Sequence, residues 1–246
     1  PEIGTPALVY AVCAIILPFL RLHKLRQLFM LAVPVVALLA FIQLPYGTYG
    51  NFNLMNMHVG LLRLDKLSYA FGLVFSLAAF LSILYAWHVR DTMQQVASLL
   101  YAGAGIGAVF AADLITLFVF WEGTAIASVF LIWARRTEGA YATGMRYLII
   151  QVGSGVILLV GIILYYRETG TIAFTRMELG SPATWAIFFA FGIKCAFPLL
   201  HNWLQDAYPA ATITGTVALS AFTTKLAIYA LARGFPGTEL LIYIGA

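Results

Sequence analysis

Charge is what this chain has least of: 10% of its 246 residues are Asp, Glu, Lys or Arg, where a soluble domain carries about a quarter. So few ionic groups cannot cover a water-exposed surface, which excludes a soluble globular fold. Cysteine is nearly absent too. Cys13 and Cys195 each lie inside an apolar run, where they read as small buried hydrophobes, so neither a disulfide framework nor a thiolate metal cluster is expected. Metal-ligand, nucleophile and nucleotide-binding patterns are missing as well. The run Tyr101-Ala-Gly-Ala-Gly-Ile-Gly107 sits within an apolar span rather than after a strand. It therefore reads as a helix-packing surface and not as a phosphate loop. No metal or other cofactor is expected.

What the chain has in abundance is apolar sequence, 62% of residues, with a mean hydropathy of +0.92. A helix of about 20 residues crosses the roughly 30 Å hydrocarbon layer. Windows of that kind fall at about 6–20, 27–44, 67–88, 96–111, 113–134, 143–166, 183–204 and 210–233, and another opens near 238. The fold class is an all-α polytopic membrane protein with about eight transmembrane helices plus the start of a ninth, set in a lipid bilayer. The chain begins at Pro1 and ends inside an apolar run, and so reads as a piece of a longer polypeptide. The first span has no basic stretch before it and no small-residue cleavage pattern after it, unlike a cleavable signal peptide.

The placement of basic residues sets an expected orientation. If the loops after spans one, three and five share a side, that side holds Arg21, Lys24, Arg26, Arg90, Arg135, Arg136 and Arg146, against Arg63, Lys66, Arg167, Arg176 and Arg233 opposite. The positive-inside rule makes the richer side cytoplasmic and puts the N-terminus outside. These residues are spread over loops, and no nucleic-acid patch is present.

Three regions are expected: residues 1–95 with spans one to three and a surface hairpin near 45–66, residues 96–237 with spans four to eight, and residues 238–246 as the start of span nine. The hairpin is read from Gly and Asn punctuating short alternating stretches between Pro45 and Asp65. Only Ala111-Ala-Asp113 separates spans four and five, which forces a tight antiparallel pair with Asp113 as N-cap.

Against this background three charges stand out, because Glu122, Lys194 and Lys225 each fall within an apolar span. An ionisable group there costs a few kcal/mol or more and by default marks an ion or proton path. Burial disfavours an ammonium and a nearby carboxylate favours it, so a lysine paired with Glu122 is suited to taking up and releasing a proton. Four residues after Lys194 comes Pro198, which cannot donate to the Lys194 carbonyl and so predicts a break in span seven beside the lysine. His201 would lie about two turns beyond Lys194 on the same face if that helix were continuous, as a relay or as a structural hydrogen-bonder. Lys225 has Ser220, Thr223 and Thr224 beside it to hold water.

Taken together, Phe120-Trp-Glu122-Gly, Lys194 with Phe197-Pro198-Leu-Leu-His201-Asn-Trp203-Leu-Gln-Asp206-Ala-Tyr-Pro209-Ala, and Thr224-Lys225-Leu-Ala-Ile-Tyr-Ala-Leu resemble the antiporter-like membrane subunits shared by Mrp-type sodium/proton antiporters and respiratory complex I. Within that family the segment most resembles the D-type component of the Mrp antiporters. Ser154 and Ser220 stand where the longest paralogues carry Asp and His. The resemblance implies the first repeat of an inverted-repeat transporter fold, in which Glu122 tunes Lys194 and Lys225 receives the proton through water bridged by His201 or hydroxyls. It also implies other membrane subunits as partners, protons as the transported ion with sodium open as a second, and a bacterial cytoplasmic membrane. Alternatives are a proton-pumping membrane subunit of complex I or a membrane-bound hydrogenase, and a structural membrane scaffold. No chemical step of its own is implied.

Overall fold

A computed structural model describes residues 5–54 and 57–245. It is built almost entirely from helices: α1 (Pro6–Ile16, extended by a 3-10 turn at Leu17–Phe19), α2 (His23–Ile42), α3 (Lys66–Tyr85), α4 (Thr92–Phe110), α5 (Leu114–Trp133), α6 (Glu138–Thr169), α7 (Pro182–Cys195), α8 (Asn202–Ala210), α9 (Ile213–Gly234) and α10 (Leu240–Gly245). Two strands, β1 (Gly47–Leu54) and β2 (Met57–Leu64), pair antiparallel between α2 and α3. Among the described residues six helices, α2 to α6 and α9, are long and apolar enough to cross a membrane, and two shorter apolar ones are Pro6–Phe19 and Pro182–Cys195. That differs from eight full spans because the first is short and the seventh does not run through to 204.

Side-chain caps fix where most of the long helices start. Asp65, Asp91, Asp113, Thr137, Ser181 and Thr212 each accept from a backbone N–H in the first turn that follows, satisfying donors a helix cannot pair internally. Gly170, at φ 70°, turns α6 off in the left-handed conformation glycine adopts at little cost. With 32 residues, α6 is about 48 Å long at 1.5 Å per residue and outreaches the hydrocarbon layer.

The innermost helix is α4, against which α1, α3, α5 and α9 all pack. Its glycines permit the approach: a Cβ on Gly107 would sit 2.4 Å from the Phe120 ring, and one on Gly103 would sit 2.5 Å from Tyr10. The outer faces of α2 and α6 stay apolar and open, with Leu28, Val36, Ile149 and Val156 more than half exposed, as lipid-facing surfaces should be.

At the end of the molecule where α3 and α5 begin, carboxylates tie the hairpin down. Asp113 Oδ1 caps α5 through Thr116 N at 2.8 Å, while its Oδ2 accepts from Gly60 N of β2 at 2.9 Å. Asp65, besides capping α3, accepts two bonds from Arg233 at 2.7 and 2.8 Å. Arg233 Nε in turn donates to the Tyr229 hydroxyl at 2.6 Å. The last turn of α9 is thus clamped to the start of α3, just after the hairpin, by a largely buried guanidinium.

Candidate functional site

Lys194 lies in the last turn of α7 with no exposed surface. Its Nζ donates to the Trp121 carbonyl and to Thr124 Oγ1, both at 2.9 Å, and stands 4.5 Å from the centroid of the Trp121 indole. An ammonium has three donors, so two bonds and an aromatic face account for most of its surroundings. Among the described residues no carboxylate lies within the 4.0 Å ion-pair limit of this amine.

Glu122 and Lys194, expected to pair, therefore form no direct ion pair. Successive side chains on a helix project about 100° apart, so with Trp121 and Thr124 turned to Lys194, Glu122 is aimed at α6. There its Oε1 is buried without a hydrogen-bond partner, in a space only glycine leaves open. A Cβ on Gly155 would lie 1.4 Å from that oxygen.

The break in α7 falls beside the lysine, but it opens at Ala196 rather than at Pro198. Ala196 and Leu199 have φ of 62° and 71°, and regular helix resumes only at Asn202. Proline disfavours helical backbone at the residue before it, which carries the disruption back through Phe197. The Ile193 carbonyl, which accepts from Ala196 N–H at 3.1 Å, also accepts from Trp203 Nε1 at 2.9 Å, so an indole from the start of α8 ties the interrupted segment to the end of α7. The Phe197 ring folds back over Gly192, where a Cβ would meet it at 2.6 Å.

His201 is the residue before α8 and makes no side-chain capping bond. The break, as expected, leaves no continuous helix face joining it to Lys194. Lys225 is exposed rather than buried: α9 turns Phe222, Thr223, Leu226 and Tyr229 inward, leaving Lys225 on the outer side of the described residues. The structure thus brings together Lys194, Trp121 and Thr124, sets Glu122 on the neighbouring face, and leaves His201 and Lys225 outside that cluster.

A buried polar group that the charge-based reading misses continues from the lysine. Trp121 Nε1 donates to Ser154 Oγ at 3.3 Å, and the Ser128 and Tyr147 hydroxyls bond at 2.8 Å. Tyr101 bonds the Thr223 hydroxyl, and the Tyr208 hydroxyl donates to the Leu219 carbonyl at 3.1 Å. The signal was present in the sequence: Tyr147, Gln151 and Ser154 recur at helical spacing along one face of an otherwise apolar helix.

A family profile described as NADH:quinone oxidoreductase/Mrp antiporter, TM matches residues 111–243, more than half the chain and all but one residue of this cluster. The chain belongs to this family. The A-type component of the Na(+)/H(+) antiporter of Alkalihalophilus pseudofirmus is 30% identical over 259 residues, covering 91% of this chain and 31% of that protein. Hydrogenase-4 component B of Escherichia coli is 29% identical over 195 residues, covering 70% and 28% respectively. Among solved structures, an archaeal membrane-bound sulfane sulfur reductase matches with a TM-score of 0.80 at 23% identity, covering 99% of this chain and 56% of that one. The chain thus spans about a third of the length of the curated relatives it matches. The family is an integral membrane one, in keeping with the apolar helices. Membership does not carry the assignment to the D type, and the antiporter relative named here is of the A type.

Proposed function

We propose that this chain is part of a proton-translocating membrane subunit of a multisubunit cation/proton antiporter, with Lys194 as the group that takes up and releases the proton. The observation that carries the reading is the fully buried Lys194, bonded to a carbonyl and a hydroxyl rather than neutralised by a carboxylate, beside a helix break. A structural ammonium would gain from a direct counter-charge. A transporting one must be able to exist without its proton. In this reading Glu122, one helix face away, biases the charge of Lys194 through space, and Lys225 with His201 serves the onward side. The exposed flank of α9 bearing Lys225 faces whatever completes the transport unit, so partners are other membrane subunits or further chain.

The reading includes residues 96–237 as a first transport repeat preceded by an N-terminal region at 1–95. The location is a bacterial cytoplasmic membrane with the N-terminus outside, which the excess of basic residues on loops one, three and five supports. A second reading, a proton-pumping membrane subunit of a redox-driven complex, is favoured by the similarity to hydrogenase-4 component B.

The experiment is proton flux in vesicles holding the complete complex. An antiporter acidifies or alkalises the lumen when a sodium gradient alone is imposed. A redox-driven pump moves protons only when a partner carrying iron–sulfur or flavin groups is reduced. No proton movement under either drive contradicts both. Within the same assay Lys225→Arg keeps a charge but holds its proton at any accessible pH, so slowed flux marks a transferring group and normal flux a fixed charge.

A further inference from the structure

Helices α5 and α6 run antiparallel, and two side-chain bonds fix their register: Trp121 with Ser154, and Ser128 with Tyr147. Each step forward along α5 is matched by a step back along α6. Gln151 therefore stands level with Thr124, the residue whose hydroxyl accepts from Lys194. Gln151 shares a helix face with Tyr147 and Ser154, four residues before it and three after, so its side chain is turned to α5. It has no exposed surface, and neither its Oε1 nor its Nε2 has a hydrogen-bond partner.

Buried amides are almost always satisfied, by protein or by ordered water, and here the protein supplies nothing. We propose that Gln151 holds water between the Lys194–Thr124 pair and the Tyr147–Ser128 hydroxyls, and positions it as a step for the proton moving to or from Lys194. Thr124 and Ser128 are about 6 Å apart along α5 at 1.5 Å per residue, too far for one direct bond. An amide offers both a donor and an acceptor, so it can orient water in the either-way hydrogen-bonded arrangement that proton transfer requires. Gln151 does not itself carry the proton. It is a positioning residue, and the inference rests on the reading of Lys194 given above.

The test uses the complete complex in vesicles with Gln151→Leu, Gln151→Asn and Lys194→Ala, together with a high-resolution experimental map of the wild type. Gln151→Leu, which matches the volume but holds no water, is expected to slow proton flux by about tenfold or more with assembly and melting temperature intact. Gln151→Asn keeps donor and acceptor and is expected to restore most of that loss. The wild-type map is expected to show density within hydrogen-bonding distance of the amide. Wild-type flux in an assembled Gln151→Leu complex, a Gln151→Asn complex as slow as Gln151→Leu, or a dry amide in the map would each overturn the proposal. Where Gln151→Leu does not assemble, the map decides. A Lys194→Ala complex that still transports overturns the underlying reading of the lysine instead, an outcome neither Gln151 variant can produce.

Discussion

Adding one methyl group at Gly155 isolates the position of the Glu122 carboxyl from its chemistry. The new Cβ would lie 1.4 Å from Oε1 and 2.6 Å from the carboxyl carbon, so the carboxyl must withdraw by about 2 Å to reach ordinary contact. What is struck is the far end of a flexible side chain, so the helix pair should survive. Gly153, two residues away on the same helix, has nothing within 4 Å of its added Cβ and supplies the matched control. Both changes gain up to about 1 kcal/mol in helix propensity; only the change at Gly155 moves the carboxylate. For opposite unit charges several ångströms apart, a change of about 2 Å in separation alters their attraction by about 0.7 kcal/mol at an effective dielectric of about 20. Gly155→Ala is therefore expected to shift the hold of Glu122 on the Lys194 proton by about 0.7 kcal/mol, roughly threefold. Glu122→Gln, which removes the charge, should have the larger effect. The assay is the pH dependence of proton flux for the complex carrying each variant. A Gly155→Ala complex indistinguishable from Gly153→Ala would refute the electrostatic role given to Glu122.

Other perturbations reach the framework that holds the site. Asp65→Ala removes the cap on α3 and leaves Arg233 buried without its counter-charge, which should cost at least about 3 kcal/mol and lower the thermal stability of the purified protein. Asp65→Ala combined with Arg233→Met should recover part of that loss, whereas an unchanged melting temperature for the single variant would show the clamp to be idle. Pro198→Ala should leave the break open, because Ala196 and Leu199 already hold left-handed backbone and Trp203 occupies the Ile193 carbonyl; a continuous helix in an experimental structure of that variant would contradict this. Ala196→Gly should raise stability by up to about 1 kcal/mol, since glycine adopts that backbone without strain, measurable by thermal unfolding.

Much of the architecture was legible because a bilayer leaves few choices. Helix positions followed from apolar length, and Asp113 announced the start of α5 because nothing else between Ala111 and Leu114 could cap it. Lys194 was legible as the central group because no interface lies within reach of its side chain. The exposure of Lys225 is not legible for a physical reason: an apolar window reports that a helix crosses the membrane, not which face of it is covered. Glu122 and Lys194 share a depth in sequence, yet contact depends on rotation about the helix axis, and Trp121 rather than Glu122 is turned to the lysine. The break was placed by its proline, while the strained residues that form it, Ala196 and Leu199, carry no sequence mark. The roles of Gln151 and Tyr147 are not legible because neutral polar side chains in a span are ordinary until burial removes their partners.

The central claim is that a proton passes through Lys194. The most direct measurement is proton flux in vesicles containing the complete complex with Lys194→Ala, compared with wild type at equal protein content and verified assembly. Flux is expected to fall to the level of protein-free vesicles, because the cluster formed by Trp121, Thr124, Ser128, Tyr147 and Ser154 holds no other basic side chain to take its place. Flux at the wild-type rate in the assembled Lys194→Ala complex would contradict it.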